Sequence, residues 1–241
     1  IILAAGQGKR MHSSRPKVLN LLAGKPLLTH VYEAAMKIEH REIYIVYGFG
    51  GEEVQNTLKD SQISWVEQEE QLGTGHAVQQ VLPNIPKSED ILVLYGDVPL
   101  ISETSLIKLV EAAADTGFSL LTAYFDEPYG YGRIIRDSND DIIAIIEEKD
   151  ATEEQQKICE VNAGFLVVRA EILNHWVNSL NNKNKQNEYY LTNIVEMAVN
   201  DNVKVFPVLA ESMIEVQGIN TRSQLSAVSY THLRAHETSL H

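Results

Sequence analysis

Apolar runs of strand length alternate with stretches of helical period along this chain, starting at Ile1 to Leu3, and that alternation restricts the fold to crossover units feeding a mainly parallel sheet. Runs at 43–47, 64–67, 91–95 and 118–125 read as strands of that sheet, with 91–95 the clearest buried one. Leu27, Leu28, Val31, Ala34, Ala35 and Ile38 recur at three- and four-residue steps and give one apolar helix face. Further helices are expected near 52–58, 102–114, 172–180 and 191–199. Beyond Gly130 the strands shorten. Those at 133–136, 142–146 and 161–169 suggest an added lobe beside the main sheet, and 204–208 reads as a return strand. No internal repeat is present, and in particular no hexapeptide run of the kind that builds a left-handed β-helix.

With 241 residues, 44% of them hydrophobic, the chain has material for one large domain or two tightly joined lobes. The single cysteine, Cys159, excludes an internal disulfide and a multi-cysteine metal cluster, and a reducing cytoplasm is the expected setting. Apolar runs are too short to cross a bilayer and no basic-then-apolar leader precedes the first strand, so no membrane partner is expected. The chain starts inside a strand without a Met, and a few preceding residues are expected. Residues 229–241 lack apolar periodicity and contain His232, His236 and His241. They read as a disordered or non-native tail rather than a zinc site, leaving 1–228 as the folded domain.

The formal net charge is −13, yet no acidic residue occurs before Glu33. Lys9, Arg10, Arg15 and Lys17 make the first loop cationic, which points to a local anionic ligand and not to nucleic acid. Ala4, Ala5, Gly6 and Gly8 let main-chain N–H groups approach that anion closely. The dinucleotide fingerprint fails because Met11 supplies no third glycine, and no GxxxxGK[ST] loop occurs.

Two further loops follow strands, where an open parallel sheet binds its ligands. One holds Gln68, Gln71, Leu72, Gly73, Thr74, Gly75, His76 and Ala77; the other holds Tyr95, Gly96, Asp97, Val98, Pro99 and Leu100. Asp97 emerges from an apolar strand toward the phosphates of the first loop. A hard divalent cation such as Mg²⁺ would reconcile the two negative charges. The other reading of Asp97 is an Asx-turn carboxylate on the Val98–Pro99 bend. Thr74 reads as an N-cap for the helix that buries Val78, Val81 and Leu82, while Gln68 and Gly73 suit a base edge and a flat ring. His76 is read as structural, because nucleotidyl transfer to an anionic phosphate needs no general base. Gly132, Glu147 and Asn162 are too scattered to stand out, and Glu147 could pair with Lys149.

The strings LAAGQGKRM, RPKVL, EQLGTGHA, LYGDVPL, GYGRI, IEEKDA, VNAGF and NEYYLTN occur in that order across residues 1–228. Together they resemble the sugar-1-phosphate nucleotidyltransferases, and within them the N-terminal uridyltransferase half of the bacterial bifunctional enzymes that make UDP-N-acetylglucosamine. The resemblance implies a Rossmann-like nucleotidyltransferase fold with a smaller sugar-binding lobe, and UTP and N-acetylglucosamine 1-phosphate as substrates. It implies that Leu3, Ala4, Ala5, Gly6 and Lys17 contact the nucleotide, that Arg10 stabilises the triphosphate, and that Gln68, Gly73 and Thr74 read the uracil side. Tyr95, Gly96 and Asp97 would line the pocket, Gly132, Glu147 and Asn162 would hold the sugar, and Asp97 with Asn220 would bind Mg²⁺. Arg10 and Lys17 would be the catalytic cations. Asn193 and Gln217 stand where the family pattern has an aspartate and a glutamate. Full-length members trimerise through an acetyltransferase half that these residues do not include. The rival readings are a nucleotidyltransferase for another sugar or base, and a catalytically silent regulatory module of the same fold.

Overall fold

The computed structural model describes residues 1–6, 8, 11, 15–60 and 62–229. Its elements run β1 (Ile2–Leu3), β2 (Leu21–Leu22), β3 (Lys25–Pro26), α1 (Leu27–Ala35), β4 (Ile43–Tyr47), α2 (Gly51–Thr57), β5 (Ile63–Glu67), α3 (Thr74–Val81), β6 (Asp90–Tyr95) and α4 (Glu103–Thr116). They continue with β7 (Phe118–Tyr124), β8 (Arg133–Arg136), β9 (Ile142–Ile146), α5 (Glu153–Gln156), β10 (Glu160–Arg169), α6 (Ala170–Ser179), α7 (Ile194–Asn200) and β11 (Phe206–Leu209).

The central sheet has the order β11-β7-β10-β6-β1-β4-β5. Every strand in that row runs the same way except β10, which is antiparallel to both β6 and β7. Side chains alternate between two apolar layers, as the period of a strand requires. Ile2, Ala4, Ile45 and Leu94 face the layer built on α1, α2 and α4. Leu3, Ala5, Val46 and Val93 face α3, α6 and α7. Covering both faces explains why these strands read as continuous apolar runs. Each fully buried Ile, Leu or Val contributes roughly 1.5–3 kcal/mol of transfer free energy to this arrangement.

Local chemistry sets the helix ends. Ser102 Oγ accepts from the Ser105 N–H at 3.1 Å to start α4, and Gly117, at φ +75°, ends it. The N-cap of α3 is Gly73, not Thr74 as the sequence suggests: Thr74 is the first helical residue, and its hydroxyl accepts the Leu191 N–H at 3.0 Å. That bond ties the start of α3 to a distant segment, a tertiary role that cap preference cannot foresee.

Three further departures matter. The run at 161–169, expected in a side lobe, is the inner part of β10, a central strand. The β8–β9 hairpin is the added piece, and it joins the same sheet through Arg133 opposite Val161. The segment expected to be helical at 191–199 opens with a 3-10 turn, Leu191–Asn193, before α7. The β2–β3 hairpin escaped the sequence pattern, its turn made by Ala23 and Gly24, both at positive φ. Leu22 and Leu27 beside it bury against Ile219 and Val228, which brings the segment before the 222–229 helix back to the centre of the molecule. Residues 230–241 lie outside the described residues.

From β1 the chain moves outward to β4 and β5, then returns on the other side of β1 as β6. The strand order therefore reverses between β1 and β6, and the crevice beyond their carboxyl ends is where such sheets take ligands.

Candidate active site

At the carboxyl end of β1, the Ala4 N–H donates to Val46 O at 2.8 Å, and the Gly96 N–H donates to Leu3 O at 2.9 Å. The side chains of Leu3, Ala4 and Ala5 are buried in the two apolar layers. These residues can therefore offer a ligand little but main chain. Gly6 is exposed, with open space where a Cβ would stand.

Lys17 opens a 3-10 turn, Lys17–Leu19, and its ammonium turns inward to the Asp97 carboxylate and to Asn220 Oδ1, the latter at 3.0 Å. Lys17 and Asp97 side chains are only 15% and 14% exposed, so removing one partner would strand a largely buried charge at a cost of the order of 3 kcal/mol. Gly8, at φ +66°, lies over the Lys17 stem: a Cβ there would come within 2.5 Å of Lys17 Cβ. The Ile219 N–H donates to Asp97 O at 2.9 Å, which fixes the 218–220 segment beside the β6 loop. The Asp97 carboxylate thus takes a cation, not the main chain of the Val98–Pro99 bend.

Asp97 Oδ2 and Asn220 Oδ1 converge on one positive centre. Two hard oxygens directed at a single point fit a hard divalent ion that takes its remaining ligands from substrate phosphates and water. No group of three or more His, Cys, Asp or Glu side chains suited to a metal occurs among the described residues, and such a site does not require one.

A cavity of about 280 Å³ opens beside this pair. Six of the expected residues line it: Thr74, Tyr95, Asp97, Gly132, Glu147 and Asn162. Thr192 Oγ1 donates to Glu147 Oε1 at 2.8 Å. Burial pushes the Glu147 carboxyl above the usual range, the Thr192 bond opposes this, and the negative charges of Asp150 and Glu188 add to the rise. Lys149, the partner that sequence proximity offered Glu147, instead donates to Gln186 Oε1 at 2.7 Å. The Asn162 N–H donates to Gly132 O at 2.9 Å, and Asn162 Oδ1 accepts the Gly164 N–H at 2.9 Å.

These contacts depend on an irregularity in β10. Its register shifts between Asn162 and Leu166, where Gly164 takes φ +92°. A Cβ at Gly164 would meet the Tyr95 ring at 3.0 Å, so the missing side chain lets Tyr95 fill the bulge. Burial raises the Tyr95 hydroxyl above its ordinary range, helped by the Glu147 charge. Burial likewise raises that of Tyr131, with the Asp97 charge adding to it.

Gln68 is buried, and its Nε2 donates to Gly73 O at 3.0 Å while lying 3.0 Å from His76 Nδ1. Its amide therefore braces the Gly73 turn, and His76 completes that brace. The same loop is pinned to the far wall of the cavity, because the Gly75 N–H donates to Tyr189 O and the Tyr189 N–H to Leu72 O, both at 2.8 Å. Arg15 leaves the cationic loop to pair with Glu53 at 2.9 Å on the half-exposed surface. Lys9 and Arg10 lie outside the described residues.

Tyr131, Tyr190, Thr192, Gln186 and Glu188 also line the cavity and were not singled out from sequence. The GYGRI and NEYYLTN strings held that signal, since they contain four of these five residues. Asn193 and Gln217 do not line it. A larger cavity, about 580 Å³, sits at the amino ends of β1, β4 and β6, and none of the expected site residues lines it.

A sheet covered by helices on both faces, with its strand order reversing between β1 and β6 and the Lys17–Asp97 pair beyond their carboxyl ends, is the arrangement of an α/β ligand-binding domain. The chain belongs to the MobA-like NTP transferase domain family, whose model matches residues 1–161. It is 49% identical over 234 residues to the bifunctional protein GlmU of Azoarcus sp. (strain BH72), covering 97% of this chain and 52% of that protein. The chain thus spans about half the length of that relative. The fold is also that of a UDP-glucose pyrophosphorylase solved with UDP-glucose, at a TM-score of 0.80 and 17% identity over 97% of both chains. HddC from Yersinia pseudotuberculosis, solved with GMP-PN, matches at a TM-score of 0.69 and 18% identity, covering 96% of this chain and 97% of that one.

Proposed function

We propose that residues 1–228 form an N-acetylglucosamine-1-phosphate uridyltransferase, converting UTP and N-acetylglucosamine 1-phosphate to UDP-N-acetylglucosamine and pyrophosphate. The observation that carries this reading is the juxtaposition of Lys17, Asp97 and Asn220 with a cavity walled by Gly132, Glu147 and Asn162. The 49% identity to a GlmU protein supports the choice of substrates.

In this reading the main chain of Leu3, Ala4, Ala5 and Gly6 receives the nucleotide, and the loop of Gly73 and Thr74, braced by Gln68, borders the uracil. Glu147 and Asn162 hold sugar hydroxyls beside Gly132, whose missing Cβ lets Ile145 and Glu147 pack close to the main chain there. Tyr95 and Tyr131 stay protonated at neutral pH and remain available as donors. A phosphate oxygen of the sugar phosphate attacks the α-phosphorus of UTP in line, and pyrophosphate departs. Arg10 and Lys17 offset the negative charge that gathers at the reacting centre. Mg²⁺, held by Asp97 and Asn220, would supply further charge neutralisation between the phosphates. No acid–base side chain is required, because the nucleophile is already an anion.

No helix among the described residues is long and apolar enough to cross a membrane, and we place the activity in the cytoplasm, where its product would supply peptidoglycan and lipopolysaccharide synthesis. The test is Mg²⁺-dependent pyrophosphate release by residues 1–228 across a panel of nucleoside triphosphates and sugar 1-phosphates. UTP with N-acetylglucosamine 1-phosphate should be turned over fastest. Preference for another pair would reassign the substrates, and no turnover of any pair would reject the enzyme reading.

A further inference from the structure

We infer that the Lys17 ammonium is a built-in counter-ion standing in the divalent cation's place, so that a metal enters only by displacing it and thereby releases Lys17 toward the phosphates. The inference rests on the metal reading of Asp97 and Asn220 given above. Its basis is that Lys17 Nζ bonds both of the oxygens assigned to the metal, Asp97 Oδ2 and Asn220 Oδ1. One cation position is shared by two candidates, and two positive centres cannot occupy it together.

The surroundings make the exchange consequential. Gly8 passes close over the Lys17 stem, where a Cβ would come within 2.5 Å of Lys17 Cβ, so only a glycine leaves the side chain its place in this corner of the crevice. The 218–220 segment is anchored to the β6 loop through the Ile219 N–H and Asp97 O, so the main chain that carries both oxygens is held independently of the ammonium. Without a metal, Lys17 neutralises Asp97, and the paired site gives an approaching phosphate neither a bare carboxylate nor a free ammonium. With a metal, Asp97 is neutralised by the ion and the Lys17 ammonium is freed at the end of the first loop. One event thus prepares both cationic contacts, and the metal affinity without nucleotide is lowered by the cost of evicting Lys17.

The test is Mn²⁺ binding in the absence of nucleotide, followed by loss of the free-ion electron paramagnetic resonance signal, for the wild-type chain, Lys17→Met and Asp97→Asn. Lys17→Met should bind Mn²⁺ about tenfold more tightly than wild type, a difference of roughly 1.4 kcal/mol. Affinity in Lys17→Met equal to or weaker than wild type, with Asp97→Asn abolishing binding, would overturn the exchange and leave the metal reading intact. Undiminished binding by Asp97→Asn would overturn the metal reading as well. Should Lys17→Met fail to fold, the wild-type chain provides a second readout: the rate at which an amine-specific reagent labels Lys17, resolved by peptide mass spectrometry. Saturating Mg²⁺ should raise that rate several-fold over an equal ionic strength of NaCl, and an unchanged rate would defeat the inference.

Discussion

The two walls of the crevice are built by different means. The wall at the ends of β1 and β6, which our reading gives to the nucleotide, consists of main chain and small residues, its side chains buried in the sheet layers and Lys17 turned inward. The wall that our reading gives to the sugar consists of side chains brought from the end of β9, from β10 and from the Leu191–Asn193 turn, with Glu147 held by Thr192. A wall of backbone is rigid because the sheet is rigid and suits a feature common to every nucleotide, its phosphates. A wall of side chains is adjustable by substitution and suits the part of the substrate that distinguishes one relative from another.

That contrast yields expectations that separate the walls. The largest effect belongs to charge at the reacting centre: Asp97→Ala or Arg10→Ala should lower turnover by about three orders of magnitude for every substrate pair, measured by pyrophosphate release. A loss confined to one sugar would break the division. Next comes the side-chain wall, where Glu147→Ala should lower kcat/KM for the sugar phosphate by one to two orders of magnitude while UTP affinity, followed by calorimetry, stays within about twofold. Equal losses for both substrates would show the walls to be one unit.

Gly164→Ala should lower stability by about 2 kcal/mol in denaturant titration, through backbone strain at φ +92° and pressure on Tyr95, and should weaken sugar binding with it. Unaltered stability would mean that the bulge is not needed to seat Tyr95. The smallest effect is a pH dependence. A carboxyl whose folded pKa is raised contributes stability below its ordinary range and loses that contribution as pH rises. Glu147→Gln cannot ionise, so its Tm should exceed that of wild type at pH 8, and the gap should close by pH 4. A gap that is constant across pH would indicate that burial of the charge is not what Glu147 costs the fold.

Much of this was legible in the chain. The parallel strands were visible because burial on both faces leaves unbroken apolar runs, and the first loop because glycine, small residues and like charges cluster within a dozen positions. Glu147, Asn162 and Thr192 carried no such mark: they are ordinary polar residues at strand and turn ends, and only the family resemblance raised the first two. The strand at 161–169 went to the wrong place for a related reason. Its composition says that it is buried, but the partner on either side is set by long-range pairing with Val93 and Leu120.

The sequence by itself determined the alternating α/β plan, the cationic, glycine-containing make-up of the first loop and the position of Asp97 after a buried strand, because these follow from periodicity and local charge. Only the tertiary structure decided that Lys17 meets Asp97 and Asn220, 80 and 203 residues away, that Thr74 ties the start of α3 to Leu191, and that Thr192 holds Glu147. Hydrogen bonds at such separations leave no periodic trace in a chain, since they arise from strand order and are fixed only when the sheet closes around them.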